Sequence, residues 1–338
     1  MKRIIILLIF CTSIAFGEFD KVGTTVAQFL KIGVGARALG MGGGFVALAN
    51  DGSAHYWNPA GLVLSPEISI ALYHNPWILD ISHDYVSFTV PGGSIGTFGL
   101  SLSTLTMDEK EITTVKEPDG TGIYYSVMDM ALGASYAKHI SHRLAYGITL
   151  KYIRLKAYNE QAHTFAIDIG SILKTDFYGM KLGMSLSNFG GEIQFSGRDL
   201  IEKADIDEDI AGNYLTDVNL QTEPWPLPMM IRIGIALDLL GDSKAILSNK
   251  VNRLTLAIDA IHPNDSPEHI NMGLEFAFHK TLFLRSGYRF NYDEENITFG
   301  AGLRLHLKTL GSAIINYAVV PFGIFGRTSQ ISLELHID

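Results

Sequence analysis

Runs of about ten residues in which apolar and polar side chains alternate recur along most of the chain. In the run 297–307, ITFGAGLRLHL, every second residue is apolar, and the runs 270–278 and 331–337 alternate in the same way. A period of two places successive side chains on opposite faces of a β-strand. The chain is therefore predicted to consist mainly of strands.

About fourteen such runs follow residue 66, and no stretch between them has a convincing helical period. Without helices between the strands, a parallel α/β sheet is excluded. The predicted strands are 67–74, 81–90, 95–106, 127–139, 142–157, 163–174, 180–190, 229–240, 251–262, 268–279, 281–291, 296–308, 312–320 and 329–338.

Two all-β architectures fit this pattern, a secreted sandwich and a transmembrane barrel. The polar face of the runs is rich in Gly, Ala and Ser, with single charges rather than the dense charge of a face in water. The length of the runs fits a tilted crossing of the hydrocarbon layer. These isolated charges are Lys151, Asp168, Arg232, Asp238, Asp259, Glu275 and Arg304.

The connections favour the barrel. The two long excursions, 107–126 and 191–228, both fall at the same end of the predicted strands, and short turns join the strands at the other end. An even number of strands with short periplasmic turns and long outer loops is typical of outer-membrane barrels. We therefore predict a 14-stranded antiparallel transmembrane barrel in the bacterial outer membrane over residues 67–338, with the sandwich as the alternative.

The N-terminus indicates export. A basic start, MKR, is followed by the apolar run IIILLIFCTSIAF and by small residues at Ala15 and Gly17, which is the pattern of a signal peptide over residues 1–17. Its removal takes away Cys11, the one cysteine of the chain. The net charge of -9 provides no electrostatic footprint for nucleic acid.

Residues 18–66 precede the first strand and are rich in Gly and Ala, with one stretch, TTVAQFLKI, that could form a short helix. A barrel of this width has a lumen that is filled by water or by a plug. We predict that this segment packs inside the barrel as an N-terminal plug, or hatch.

The stretch 31–44, KIGVGARALGMGGG, contains a match to the dinucleotide-binding pattern G-x-G-x-x-[GA]. That pattern binds nucleotide only between a buried strand and a helix in a βαβ unit, and neither context is predicted here. We interpret the glycines as positions that allow tight turns and close packing against the barrel wall, or movement of a gate.

The run 29–62, FLKIGVGARALGMGGGFVALANDGSAHYWNPAGL, resembles the N-terminal signature of the PorV/PorQ family of outer-membrane proteins (UPF0164), which is similar to the FadL-like barrels. The segment NYAVVPFGIFGRTSQISLEL resembles the family's closing hairpin. The chain departs from the family in ending at Asp338 rather than at an aromatic residue, and in its short last loop. The signature residues are Gly33, Gly35, Arg37, Gly40, Met41, Gly42, Gly43, Trp57, Asn58, Pro59 and Gly61.

The motif HYWNPAGL at 55–62 has two interpretations. Asn58-Pro59 can form a turn that leads into the first strand, with Trp57 packed against it. Alternatively, as the likeness to FadL-type hatches implies, Tyr56 and Trp57 line a pocket for a hydrophobic ligand.

The remaining polar residues do not point to catalysis. The histidines are scattered, and the acidic loop 198–217 lacks the spacing of a calcium loop, so no metal, cofactor or enzymatic activity is expected. Ser141 and His142 are adjacent on a turn and lack a third orienting group. The acidic loop is interpreted as a solvated outer face or as a partner-binding lid, anchored by Tyr214 and Trp225.

Two functions follow. The resemblance to PorV/PorQ implies an accessory role in type IX protein secretion, with secretion components and exported cargo as partners beside outer-membrane lipid. The alternative is a FadL-type transporter, in which a hydrophobic small molecule passes between hatch and wall.

Overall fold

The computed structural model describes residues 22–204, 209, 216–294, 296–307 and 311–337. The predicted signal peptide and Tyr214 lie outside these residues. In the part of the chain that is described, no helix is both long enough and apolar enough to cross a bilayer.

Fourteen long antiparallel strands form one closed sheet. They are β1 Ile68–Pro76, β2 Ile81–Pro91, β3 Thr97–Met107, β4 Val127–His139, β5 Leu144–Ala157, β6 Glu160–Lys174, β7 Lys181–Gly190, β8 Met230–Gly241, β9 Arg253–Pro263, β10 His269–Phe278, β11 Leu282–Phe290, β12 Ile297–Leu307, β13 Gly311–Pro321 and β14 Arg327–Ile337. Each predicted strand is found at its place, with ends shifted by a few residues.

The first and last strands close the ring. Leu72 of β1 is in register with Leu333 of β14, and Gly183 of β7 with Gly234 of β8. Every long strand therefore has two neighbours, so the sheet has no free edge. The predicted 14-stranded antiparallel barrel is confirmed, and the sandwich alternative is wrong.

The two faces of the barrel differ as a membrane requires. Outward-facing side chains at mid-strand are apolar and exposed, among them Leu132, Leu150 and Phe165, whose side chains are 49%, 57% and 69% exposed. Inward-facing side chains include buried polar and charged groups, such as Asp168 and Glu275. An apolar outer face and a polar interior are typical of barrels in lipid.

The connections distinguish the two ends. Loops 108–126 and 191–229 lie at the same end, which we call the outer end because long loops face the cell exterior in such barrels. Each loop carries a short hairpin, Lys110–Glu111 with Tyr124–Tyr125, and Ile201–Ala204 with Thr216–Asn219. The other end, with short turns and the start of β1, is the periplasmic end.

Residues 22–66, which we call the inner segment, contain four short helical elements. They are a 3-10 turn at Gln28–Lys31, helix α1 at Ala36–Gly40, helix α2 at Ala54–Trp57 and a 3-10 helix at Pro59–Leu64. Of the short helix predicted in TTVAQFLKI, only the 3-10 turn Gln28–Lys31 is present. Helix α1 was not predicted, because its five residues lie within the glycine-rich stretch and are held by tertiary contacts on the barrel wall.

The inner segment forms hydrogen bonds to strands on different sides of the ring. His55 contacts Thr89 of β2 and Ser135 of β4, and Phe45 donates its backbone N–H to Asp259 of β9. On the far side, Thr298 of β12 donates to the carbonyl of Gly40. A segment bonded to opposite strands of a closed ring lies within that ring. Its role as a hatch that closes the lumen stays a prediction.

The inner segment runs from one end of the barrel to the other. Near its start, Val26 donates its backbone N–H to Pro226 of the outer loop 191–229, at 3.1 Å. Its last 3-10 helix leads directly into β1 at the periplasmic end.

Candidate functional site

A cavity of about 380 Å³ lies between the inner segment and the barrel wall on the outer side. We call it the outer cavity. Apolar and aromatic side chains form much of its lining: Ile32, Leu39, Tyr56, Trp57, Trp77, Ile261 and Val320. A largely pre-formed apolar cavity with a few polar groups is the usual form of a small-molecule site.

Trp57 is fixed at the wall of this cavity by α2. Its indole N–H donates to the carbonyl of Val34 at 2.6 Å, which satisfies the polar end of a buried ring. The ring packs edge-on against Tyr56 at 5.0 Å and against Phe45 at 6.2 Å between centroids. These contacts leave Trp57 one orientation, with part of the ring facing the cavity.

Two buried arginines also line the outer cavity. The guanidinium of Arg232 lies 5.3 Å from the ring centroids of both Tyr56 and Trp57 and donates to the Ser187 hydroxyl at 3.0 Å. Arg289 donates from Nε to the carbonyl of Gly42 at 3.1 Å.

No Asp or Glu lines the cavity among the described residues. Charged groups buried beside apolar surface strengthen the field in their surroundings. The lining of the outer cavity is therefore largely apolar, and its charged side chains among the described residues, Lys31, Arg232 and Arg289, are basic.

Asp265, in the turn between β9 and β10, holds the start of the inner segment at the rim of the cavity. Lys31 forms a 2.8 Å ion pair with its carboxylate, and Gln28 donates to the same group at 2.8 Å. Thr25 donates to it as well. Burial opposes the charged form, but these hydrogen bonds outweigh it and lower the pKa of Asp265.

The predicted signature residues divide between two regions. Gly33 and Trp57 line the outer cavity, and the ring of Trp57 also lies over Gly43. Arg37 instead points towards the periplasmic end, where it pairs with Glu275 at 2.8 Å. Gly35 precedes α1, Gly40 ends it against Gly300, and Met41 is fully buried.

Gly42 and Gly43 have φ values of 66° and 80°, which side chains other than glycine rarely adopt. A Cβ on Gly42 would lie 3.1 Å from the backbone nitrogen of Tyr288 in the barrel wall. Both the tight turn and the close packing that the glycine-rich stretch suggested are present at these positions.

Asn58 and Pro59 begin a turn, as the motif suggested: Gly61 donates its backbone N–H to the carbonyl of Asn58 at 2.9 Å. The turn continues as the 3-10 helix Pro59–Leu64, which leads into β1. Asn58 caps the 3-10 helix Pro59–Leu64, since its side-chain oxygen accepts the backbone N–H of Ala60 at 3.2 Å. Its amide donates to the carbonyls of Val46 and Ser171. Asn58 is thus fully buried and ties the helix both to the inner segment and to the wall.

Trp225 lies in the outer loop 191–229 and is 42% exposed. Its backbone pairs with Ile193 in an isolated antiparallel bridge, with N–H to carbonyl distances of 3.0 and 2.8 Å. Trp225 is therefore available at the outer surface and is not among the residues that line the outer cavity.

The sequence pointed to the inner segment but not to the arginines that face it. From the sequence, Arg232 is only one of the isolated charges on the polar face of the strands, and nothing in the sequence marks Arg289 as a site residue. An isolated arginine flanked by apolar residues, as in MIRIGIA, is the signal that could have marked Arg232. Within the described residues, no three His, Cys, Asp or Glu side chains are grouped as metal ligands.

The N-terminal part of the chain matches a protein family described as uncharacterised protein family UPF0164. Residues 12–153 carry the UPF0164 match. The match includes the inner segment, strands β1 to β4 and most of β5, so it covers the signature run and the first part of the barrel. The resemblance to UPF0164 is confirmed. No curated protein sequence matches the chain.

Solved structures share the whole architecture. The toluene transporter TbuX of Ralstonia pickettii is similar with a TM-score of 0.56 and 12% identity, over 90% of this chain and 99% of that one. The toluene transporter TodX of Pseudomonas putida is similar with a TM-score of 0.54 and 12% identity, over 90% of this chain and 96% of that one. The monoaromatic hydrocarbon channel CymD is similar with a TM-score of 0.53 and 11% identity, over 90% of this chain and 97% of that one.

At these identities the likeness concerns the fold. The chain is a closed fourteen-stranded barrel with the fold of these structures. Its apolar outer face is typical of barrels in the bacterial outer membrane.

Proposed function

We propose that this barrel protein transports small, mainly apolar molecules across the outer membrane, and that the outer cavity is where they bind first. The cavity itself is the observation that carries this proposal. It combines about 380 Å³ of space, aromatic walls at Trp57 and Trp77, and two buried arginines.

The arginines define the preferred ligand further. A neutral hydrocarbon uses only the apolar walls, whereas a molecule with an anionic group can also approach Arg232 and Arg289. Charge-assisted hydrogen bonds are about twice as strong as neutral ones. The preferred ligand is therefore apolar in its body and anionic at one end.

The structural relatives are consistent with passage of apolar molecules. TbuX and TodX are described as toluene transporters, and CymD as a monoaromatic hydrocarbon channel. In this chain the tether at Asp265 lies at the cavity rim, so release of residues 25–31 would widen the path.

Tryptophan fluorescence provides a direct binding test, because Trp57 and Trp77 line the cavity and the third tryptophan, Trp225, does not. Titration of the purified barrel with 1-naphthoate should give saturable quenching, and Ile32→Trp should abolish it by filling the cavity. Trp225→Phe is the matched control and should bind normally. Quenching that does not saturate, or that survives Ile32→Trp, would contradict the proposal.

Arg232→Gln tests the charge preference. Binding of 1-naphthoate should weaken about tenfold, the effect of losing one hydrogen bond to a charged group, while binding of naphthalene stays within about twofold. Equal losses for both probes would indicate a structural role for Arg232. In cells, Arg232→Gln should reduce the uptake of radiolabelled 1-naphthoate, and Ile32→Trp should reduce it further.

The accessory role in type IX secretion is the second candidate. It is supported by the resemblance of residues 29–62 and by the two outer loops, in which Trp225 is exposed beside a bridge that holds its backbone. Cargo would then contact loop 191–229.

Replacing residues 194–224 by a short Gly-Ser linker tests this role. Cargo should accumulate in the periplasm, whereas Ile32→Trp should leave cargo display unchanged. Normal display with the loop removed would exclude the secretion role, and cargo retention by Ile32→Trp would connect it to the outer cavity.

A further inference from the structure

A second cavity, of about 180 Å³, lies inside the barrel at the periplasmic end. We call it the periplasmic cavity. Arg253 and Arg304 line it together with Phe283, and Lys250 and Lys280 stand at its exposed rim. Asp242 is the only acidic side chain among its described lining residues.

The charges beside this cavity are not balanced. Glu275 of β10 pairs with three arginines: with Arg37 at 2.8 Å, with Arg285 at 2.8 Å and with Arg253 at 3.0 Å. One carboxylate therefore faces three guanidinium groups, of which only Arg37 also reaches another acid, Asp51 at 3.3 Å. Asp51 and Glu334 line an adjoining cavity of about 130 Å³ with the same arginines. Three carboxylates therefore match Arg37, Arg253 and Arg285, and Arg304, which lines both cavities, is left as one guanidinium group in excess.

Arg304 is the guanidinium group in excess. Among the described residues it forms no ion pair within 4.0 Å, and its guanidinium lies 5.8 Å from the centre of the Phe283 ring. The buried Nε atoms of Arg304 and Arg253 both lack a hydrogen-bond acceptor in the described structure. Arg253 and Arg304 line the same cavity, and among the described residues the Arg304 guanidinium donates to no carboxylate.

We propose that the periplasmic cavity binds a small oxyanion, either phosphate or a carboxylate group, between Arg253 and Arg304. The planar guanidinium group presents paired N–H donors that match the oxygen spacing of both anions. Lys250 and Lys280 at the rim attract the anion from the periplasm as mobile point charges. The anion supplies the negative charge that balances Arg304.

This site is separate from the outer cavity. The two cavities share no lining residue and lie towards opposite ends of the strands. The inference therefore does not depend on the proposed transport function.

Equilibrium dialysis of the full-length barrel in a zwitterionic detergent with radiolabelled inorganic phosphate tests the site. We expect saturable binding of about one phosphate per chain. Arg304→Gln should weaken it at least about tenfold, since one charge-assisted contact is lost. Because Arg304 has no ion-pair partner among the described residues, this change should leave the barrel folded, which heat-dependent migration on a gel can verify.

Arg143→Gln is the matched control. Arg143 lies in a turn at the same end, is exposed and pairs with Asp176, and its loss changes the net charge equally. It should alter phosphate binding less than about twofold, as expected for an exposed ion pair. Equal weakening by both variants, or unchanged binding in Arg304→Gln, would overturn the proposal.

Competition distinguishes specific recognition from charge screening. Acetate should displace phosphate at concentrations at which chloride has little effect, because acetate offers two oxygens to a guanidinium. Equal displacement by chloride would show general screening and overturn the site. Ile32→Trp, which should eliminate naphthoate binding in the outer cavity, should leave phosphate binding unchanged.

Discussion

At the scale of single residues, the glycines of the signature serve two different needs. Gly42 and Gly43 are required by their positive φ values. Gly61 is required by space, since a Cβ there would lie 1.6 Å from the carbonyl oxygen of Ala49. Backbone atoms cannot move aside as a side chain can. The 3-10 helix Pro59–Leu64 can therefore pack against the stretch before α2 only without a side chain at 61.

Gly61→Ala should consequently displace this helix and lower the free energy of unfolding by about 3 kcal/mol, the upper part of the range for overpacking. Gly241→Ala is the control, because a Cβ there would meet its neighbours at 3.5 Å or more, which is ordinary contact. Thermal unfolding, followed by heat-dependent migration on a gel, measures the stability of both variants. A Gly61→Ala barrel as stable as the control would refute close packing at this position.

The sequence indicated which positions require glycine, but it did not indicate which neighbouring segments impose the requirement. The pattern 31–44 indicated demanding backbone positions, and Gly42 and Gly43 meet that expectation. The requirement at Gly61 depends on Ala49 folding back over it, and the requirement at Gly40 depends on Gly300 in β12. Distances between segments that are far apart in the chain are not contained in a local pattern.

At the scale of elements, α2 places an uncharged histidine in the barrel interior. His55 lies between the hydroxyls of Ser135 at 2.8 Å and Thr89 at 3.1 Å. Burial lowers the pKa of His55 to about 3 from its ordinary value of 6.5. The folded protein therefore keeps this ring neutral over a pH range in which the unfolded chain protonates it.

The sign of the resulting pH dependence follows by linkage. Between pH 6.5 and about 3 the unfolded chain binds a proton that the folded chain does not, so the unfolding free energy falls as the pH is lowered. His55→Gln should reduce this slope, because glutamine does not titrate. Unfolding midpoints measured from pH 7 to pH 4 for both proteins provide the test, and parallel curves would contradict it.

Strands were predictable and the helices of the inner segment were not, for a physical reason. A strand with one face in lipid and one face inward must alternate in polarity, so its environment is recorded in its own residues. Helix α1 is only five residues long, too short to be stable alone, and it is held by β12 and β13. Its existence depends on the completed barrel.

At the scale of the whole molecule, the outer face determines that the protein belongs in lipid. Leu132 lies near the middle of β4, in register with Leu102 and Tyr152 of the neighbouring strands, and it is half exposed. Leu132→Arg should cost about 2 to 4 kcal/mol, the penalty for arginine at the bilayer midplane. Lys138→Arg, on the same face of β4 but close to its end, should be neutral.

Reconstitution into liposomes measures this difference through the fraction of barrels that resist protease. A Leu132→Arg variant that inserts as efficiently as Lys138→Arg would mean that this face does not contact lipid.

Closure of the barrel was predictable because strand number, strand length and loop asymmetry all appear in the sequence. The sequence indicated a pocket beside Tyr56 and Trp57 as one interpretation, but it did not indicate which strand residues complete either cavity. Arg37 and Glu275 are 238 residues apart in the chain, and Arg232 and Trp57 meet only because α2 is enclosed by the ring.

The enclosure of residues 22–66 also constrains the order of assembly. These residues are made first, yet they bond to β9, β10 and β12, which are made late. Because Phe45 and Trp57 are buried inside the ring, we expect them to be in place before β1 and β14 meet. The joining of the first and last strands then completes the enclosure of the inner segment. A chain cut after residue 66 once the ring has formed would still hold its severed N-terminal piece by encirclement.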